Sequence, residues 1–84
     1  MNSDSLYTQQ YFGTFDLGLS SALVTAGFLL DHLDKTHPEK VKFIFIREEN
    51  QDEIIQSYWN GSLKISALAY FNNIKVLKNR IYSE

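Results

Sequence analysis

The sequence predicts a single α+β domain, in which a small antiparallel β-sheet packs on three helices in the order α-β-β-α-α. The chain has 84 residues, of which 44% are hydrophobic and 14% aromatic. This is enough apolar material for one small core, and too much for a disordered chain. Two apolar runs flank a polar loop, as in a β-hairpin. Three other segments place apolar residues at helical spacing.

Residues 1–10 are rich in Ser, Asn, Gln and Asp, and we predict that they form a loose N-terminal arm. Tyr7, Tyr11 and Phe12 could anchor an extended stretch of this region on the core. The sequence therefore leaves open an additional N-terminal strand in the sheet.

The first helix is predicted between Thr14, as the N-cap, and Gly27, as the glycine that ends it. Asp16 falls in the first turn, where negative charge is favoured. The helix is expected to bury one apolar stripe, made of Phe15, Leu19, Ala22, Leu23 and Ala26.

The hairpin is predicted from the apolar runs Phe28–Leu33 and Val41–Ile46. The loop between them contains Pro38, which lacks the backbone donor that a strand interior needs. The second run is apolar on both alternating sets of positions, so both faces of this strand should be covered. If this strand lies at a sheet edge, the edge must be paired or shielded.

The second helix is predicted to open with Asn50 and Glu53 as a capping box and to stop at Asn60-Gly61. The third helix is predicted to begin after Ser66, its N-cap, and to end near Tyr82. Apolar residues should bury one side of each helix. They are Ile54, Ile55, Tyr58 and Trp59 in the second helix, and Ala67, Tyr70, Phe71, Ile74, Leu77 and Ile81 in the third.

The composition favours a cytoplasmic protein. The chain contains no cysteine, so disulfide staples and thiolate zinc sites are excluded. The N-terminal residues lack the features of a signal peptide, and no window approaches the roughly 20 apolar residues of a membrane span. The net charge of −2 is uneven: it is −5 over residues 1–60 and +3 over residues 61–84.

Residues suited to catalysis or metal binding do not form a recognisable pattern, so we expect neither an enzyme nor a bound metal or cofactor. His32 and His37 are the only histidines, and we predict that they lie at a solvated hairpin tip. Ser20 and Ser21 fall inside a helix rather than at a strand–turn–helix elbow. The glycines are too scattered for a phosphate loop.

Two groups of residues are candidates for interactions instead. Lys64, Lys75, Lys78 and Arg80 cluster around the last helix and could contact nucleic acid, although an acidic chain repels a polyanion. Trp59 could lock the end of its helix to the core or be offered to a partner. Val41, Phe43 and Phe45 lie on the apolar strand. An isolated two-stranded sheet is marginal, so we expect a homodimer, formed by strand pairing or by the last helix.

Several segments together resemble a family of small bacterial and phage-associated proteins catalogued as a domain of unknown function. The resemblance covers residues 11–82 and rests on Thr14–Leu23 before a glycine, Val41–Ile46, Tyr58-Trp-Asn-Gly61, Phe71, Leu77-Lys78 and Ile81-Tyr82. The chain departs from that pattern at Ser20 and Ser21, where alanines are expected, and in a longer hairpin loop. Because the family has no established activity, the resemblance implies no catalytic residues, but it implies a phage or mobile-element origin.

The expected function is therefore that of a non-enzymatic protein-interaction module, such as an accessory or inhibitor protein of a mobile element. Its protein partner is not identified by the sequence. The alternative is a regulatory protein that binds nucleic acid through the basic side of the last helix.

Overall fold

The computed structural model describes residues 10–84. It has three helices and a three-stranded antiparallel sheet, which confirms the α+β class. The elements are β1 (Tyr11–Thr14), α1 (Leu17–Thr25), β2 (Leu30–Asp34), β3 (Lys42–Ile46), α2 (Gln51–Trp59) and α3 (Ala67–Ser83). The additional strand that the sequence left open is β1, which precedes the first helix. The arm predicted over residues 1–10 lies, except for Gln10, outside the described residues.

The strand order is β1-β3-β2, and β3 pairs antiparallel with both neighbours. Because both edges of β3 carry strands, β3 cannot pair with a strand of another chain. The edge pairing that the run Val41–Ile46 would need therefore comes from within the chain, whereas full cover on both faces of the strand is not found. The connection β1-α1-β2 crosses over β3 and leaves the outer edges of β1 and β2 as the edges of the described sheet.

The core lies between one face of the sheet and the helices. Phe43 and Phe45 point to this face and are buried, together with Leu19 and Leu23 of α1 and Leu77 of α3. Since strand side chains alternate between faces, Lys42, Ile44 and Ile46 lie on the opposite side. The two-layer arrangement leaves that side of β3 only half-covered.

The start of α1 differs from the prediction. Asp16, not Thr14, is the N-cap, because its carboxylate accepts a 2.7 Å hydrogen bond from the Leu19 amide. Thr14 remains paired with Phe43 in the sheet. Gly27 ends the helix as predicted, with a φ of 101° that favours glycine. The predicted stripe is only partly buried, because Phe15 and Ala26 at its two ends are exposed.

The capping box predicted for α2 is wrong. Asn50 adopts a left-handed conformation with a φ of 75°, and its side chain makes no capping hydrogen bond. The buried Gln51 side chain instead joins the start of α2 to β3. Its Nε2 donates to the Ile46 carbonyl at 3.1 Å, and its Oε1 accepts from Arg47 Nη1 at 3.2 Å.

The predicted N-cap of α3 is confirmed, because the Ser66 hydroxyl accepts a 3.1 Å hydrogen bond from the Ala69 amide. Two long-range contacts set the orientation of the helix on α1. The Tyr70 hydroxyl donates to the Gly18 carbonyl at 3.3 Å, and Asn73 Nδ2 donates to Thr25 Oγ1 at 2.9 Å. These contacts lie on the same side of α3 as the buried Leu77, so the opposite side faces outward.

The close approach of α1 and α2 at Gly18 carries a stability prediction. A Cβ on Gly18 would lie 2.4 Å from the Tyr58 hydroxyl, closer than side chains tolerate. We expect Gly18→Ala to destabilise the fold by about 1–2 kcal/mol through overpacking, despite the better helix propensity of alanine. Chemical denaturation measures this loss. Adding Tyr58→Phe, which removes the clashing hydroxyl, should make the alanine substitution less costly than it is in the parent chain. An equal cost in both backgrounds would contradict this account.

Candidate interaction surface

The strand residues proposed as contacts, Val41, Phe43 and Phe45, are not available as a surface. Phe43 and Phe45 are buried in the core between the sheet and the helices. Val41 immediately precedes β3 and is half-buried beside the β2–β3 loop. The apolar character that suggested an interface reflects the central position of β3, which is covered by helices on one side and paired along both edges.

The four basic residues proposed as a cluster do not form one patch. Arg80 lies about 160° around the helix axis from Lys78, at 100° per residue. Its guanidinium pairs with the Glu84 carboxylate at the end of the chain. Lys64 precedes the helix, in the segment that joins α2 to α3. Only Lys75 and Lys78 share the outward side of α3.

The outward side of α3 exposes large apolar side chains. Leu68, Phe71 and Tyr82 are 71%, 57% and 83% exposed. With Lys75, they lie between about 120° and 180° around the helix from the buried Leu77. We call these four residues the outward face of α3. The prediction that Phe71 belongs to the buried side is therefore wrong, since a rotation of about 100° around the helix separates it from Tyr70, which faces α1.

Lys75 is part of this face through its contact with Phe71. Its Nζ lies 4.8 Å from the centre of the Phe71 ring, a distance at which a cation is attracted to the ring face. The lysine is the only charged residue among the four. The outward face of α3 is therefore an apolar and aromatic strip with one positive charge near its middle.

Trp59 is also exposed, at 60%, so the alternative that it locks the helix end to the core is not supported. Its ring meets that of Tyr58 edge-on, with centroids 4.9 Å apart. A shallow pocket of about 260 Å³ lies beside it, lined by Ile55, Gln56 and Asn60. α2 ends at Trp59, and Gly61 follows with a φ of 81°, as expected for the glycine predicted to end this helix. The tryptophan thus forms a second exposed aromatic position.

Tyr58, unlike its neighbour, points inward and is held near Tyr70. Burial, the hydrogen bond with the Tyr70 hydroxyl, the charge of Tyr70 and the charge of Asp16, in decreasing order, together raise the pKa of the Tyr58 phenol to about 12. The folded chain therefore favours the neutral phenol. Because the ordinary pKa is 10.0, the unfolded chain loses this proton first as the pH rises.

Stability should accordingly fall as the pH rises from about 10 to about 12, the window between the unfolded and folded pKa values. Replacing Tyr58 with phenylalanine removes the proton, so the variant should lose less stability over this window. Denaturation midpoints measured across the window test the difference. Tyr82→Phe, which removes an exposed phenol, should keep the fall of the parent chain. If the parent and Tyr58→Phe lost the same stability over this pH window, the pH dependence could not be assigned to the Tyr58 phenol.

A second charged and aromatic cluster, which the sequence did not predict, surrounds Phe15. Lys40 Nζ lies 4.3 Å from the centre of its ring, Lys42 Nζ lies 5.6 Å from it, and the His37 ring meets it edge-on at 4.9 Å. The β2–β3 loop and the first residue of β3 bring these side chains to Phe15, although they are far from it in sequence. This cluster lies beside α3, because Lys35 of the same loop donates to the Ile81 carbonyl at 2.8 Å.

The acidic residues gather at the other end of β3. A shallow pocket of about 650 Å³ is lined by Glu48 and Glu49 of the β3–α2 turn and by Asp52 and Glu53 of the first turn of α2. Arg47 pairs with Asp52 at 2.8 Å and neutralises part of this charge. The sheet therefore has a basic end and an acidic end, a separation that the net charges of the two sequence segments did not reveal.

The histidines lie apart from each other. His32 Nδ1 is 2.6 Å from the carboxylate of the adjacent Asp31, while His37 contacts Phe15. Within residues 10–84, no group of three or more His, Cys, Asp and Glu side chains is placed to hold a metal ion. Ser20 and Ser21 are buried, and their hydroxyls donate to the carbonyls of Asp16 and Leu17 within the same helix.

No helix in the described part of the chain combines the length and apolar character needed to cross a membrane.

A family model described as "Domain of unknown function (DUF5659)" matches residues 9–83. This match confirms the resemblance to a domain-of-unknown-function family and extends it by a few residues. None of the curated proteins and none of the solved structures gives a significant match.

Proposed function

Because the chain belongs to the family Domain of unknown function (DUF5659), whose description assigns no role, we propose a function from its surface: a protein-interaction module that binds a protein partner through the outward face of α3. The observation that carries this proposal is the exposure of Leu68, Phe71 and Tyr82 on one side of a single helix. Large exposed apolar residues that lie together are typical of interaction sites, whereas scattered ones are ordinary.

The chemistry of these side chains supports a protein partner. Aromatic residues are enriched in protein interfaces and in the few positions that dominate binding energy. Tyr82 offers both an apolar ring and a hydroxyl, and Phe71 offers a ring held beneath a lysine. Two further large apolar side chains on helices of the described residues are exposed: Trp59 at the end of α2 (60%), which could extend the contact, and Val76 of α3 (52%), which lies on another side of that helix.

The experiment is a cross-linking capture from cells that express the tagged chain, comparing three forms. The parent and the double variant Leu68→Ser/Phe71→Ser are compared with the matched control Leu29→Ser. Leu29 is 63% exposed but lies in the turn before β2, away from α3. We expect a protein that the parent and the control recover and the double variant loses. Recovery of the same proteins by all three forms would contradict the proposal.

A cytoplasmic location, a non-enzymatic role and an origin in a phage or mobile element are further parts of this proposal. The location and origin rest on the absence of cysteine and on the sequence resemblance. A homodimer formed through α3 would use the same outward face as a different protein partner, so the two interactions would exclude each other. Strand pairing by β3 no longer supports dimerisation, because both edges of that strand are occupied.

The second candidate function is nucleic-acid binding, which the exposed Phe71 favours. An aromatic ring beside lysines is typical of surfaces that stack bases and contact phosphates. Lys75 and Lys78 would supply the charge. Retention of single-stranded DNA or RNA at low salt, lost in Lys75→Glu/Lys78→Glu, would support this function. Failure of the parent chain to retain either at low ionic strength would eliminate it.

A further inference from the structure

The charge distribution around α3 indicates what kind of partner fits its outward face. The segment from Ile54 to Ser83 contains four basic residues and no Asp or Glu. The rest of the chain holds ten acidic and four basic residues, which leaves it at −6 against +4 for this segment. The helix that carries the exposed apolar strip thus belongs to a positive segment, whereas the rest of the chain is negative on balance.

The positive charge lies within the apolar strip rather than away from it. Lys75 is one turn from Phe71 and holds its ammonium group over that ring. Lys78 lies one turn further along the same side. Because Arg80 is paired with Glu84 on another side of the helix, it does not contribute to this face. A ligand on the strip would meet two lysines and no carboxylate of α3.

The shape of the strip favours a helix as the ligand. Its residues recur at spacings of three, four and seven positions between Leu68 and Tyr82, which corresponds to a ridge about 21 Å long on a helix of 17 residues. Ridges of this kind pack against the grooves of a second helix. Amphipathic helices are recognised through side chains at this spacing.

A second copy of this chain is a poorer fit than an acidic partner. In a two-fold dimer, the same patch occurs on both sides of the interface. Two outward faces of α3 would bring lysines from both copies together and provide no acidic group to balance them. Burial of such a contact leaves like charges uncompensated, which opposes association.

We propose that the partner presents an amphipathic helix with an aliphatic ridge flanked by Asp or Glu. This proposal rests on the proposed function. The ridge packs on Leu68, Phe71 and Tyr82, and the acids pair with Lys75 and Lys78. This assigns the lysines to partner selection and the apolar residues to affinity, since charge pairs at an interface rim act mainly on specificity and association rate.

Three labelled peptides test this proposal by fluorescence anisotropy. Each has 18 residues: one has leucines at helical spacing with glutamate flanks, one has the same leucines with lysine flanks, and one is a scrambled form of the first. We expect the glutamate peptide to bind at least about 10-fold more tightly than either control, and to bind more weakly as salt increases. Equal binding of the three peptides overturns the proposal.

Two single variants with the same change of charge serve as a matched pair. Lys75→Glu should remove the preference for the glutamate peptide, while Lys40→Glu, beside Phe15 at the β2–β3 loop, should leave it intact. Equal effects of the two variants would overturn the proposal, because binding would then follow overall charge. Displacement of the glutamate peptide by single-stranded DNA at lower concentrations than unlabelled peptide would also overturn it in favour of nucleic acid.

The remaining outcomes separate this proposal from the function on which it rests. Light scattering that gives a dimer mass, with the dimer lost in Leu68→Ser/Phe71→Ser, would assign the face to a second copy and overturn the acidic helix. If Lys75→Glu still recovers the cellular partner that the Leu68→Ser/Phe71→Ser variant loses, the acidic-helix proposal fails and the interaction function stands. Loss of that partner in both variants, but not in Lys40→Glu, supports both.

Discussion

Replacing Phe45 with alanine is expected to lower the free energy of unfolding by about 3–5 kcal/mol, the range typical of a fully buried phenylalanine. Phe45 is fully buried on the central strand and contacts both neighbouring strands through its register positions, Phe12 and Leu30. Small domains have little stability to spare, so a loss of this size would leave much of the protein unfolded at 25 °C. Thermal and urea denaturation measure it.

The matched control is Ile44→Ala, one residue away on the same strand. Ile44 points to the opposite, half-covered face of the sheet, so its truncation should cost about 1–2 kcal/mol. The comparison separates a core role for Phe45 from the interaction role that its sequence suggested. If Phe45→Ala were as stable as Ile44→Ala but changed the oligomeric state, the core role would be contradicted and Phe45 would be an interaction residue.

The second large effect is expected at Gln51. Its truncation to alanine leaves the Ile46 carbonyl and the Arg47 guanidinium without their buried partner and opens a cavity at the start of α2. An unsatisfied buried group costs about 1–3 kcal/mol, and we expect a total loss near the upper end of this range. Hydrogen exchange should show that α2 opens more readily, since its link to β3 is lost.

Gln56→Ala provides the control for this effect, because Gln56 is exposed on the same helix. That substitution should change stability by less than about 0.5 kcal/mol. The prediction is contradicted if the two glutamine variants have the same unfolding free energy. It is also contradicted if Gln51→Ala lowers stability without increasing exchange in α2.

The α+β class, the hairpin and the three helices could be predicted because local signals determine them. Ser66 and Gly61 act through hydrogen bonds and dihedral angles of their own segments, so their roles could be read from neighbouring residues. Asn50 could not be assigned in this way. The hydrogen bond of the buried Gln51 side chain to Ile46 of β3 joins two elements at this point. Asn50 adopts a left-handed conformation there and makes no capping hydrogen bond.

The short strand β1 and the central position of β3 depend on pairing between distant segments. Tyr11 is paired with Ile46, and the sequence offers no local signal for a partner 35 residues away. Without β1, the apolar run Val41–Ile46 resembles an uncovered edge and suggests a dimer. With β1 in place, the same residues are the centre of the sheet.

The sequence pattern predicts Lys75 on the outward side of α3 but places Phe71 on the buried side, so it indicates this face only in part. Leu68, Phe71, Lys75 and Tyr82 recur at spacings of three, four and seven residues, opposite to Leu77. Phe71 is expected on the buried side from the sequence because phenylalanine is usually interior and because the apolar residues of this helix recur at helical spacing. Only the contacts of Tyr70 and Asn73 with α1 fix the rotation of the helix and expose Phe71.

Site-specific photo-crosslinking tests the interaction surface most directly. A photoreactive phenylalanine analogue is placed at Phe71 in one form of the chain and at Leu29, a position of comparable exposure outside α3, in another. Irradiation of living cells should link a protein of different mass to the chain at position 71 and not at position 29. Adducts at both positions alike, or at position 29 alone, would contradict the assignment of α3 as the interaction surface.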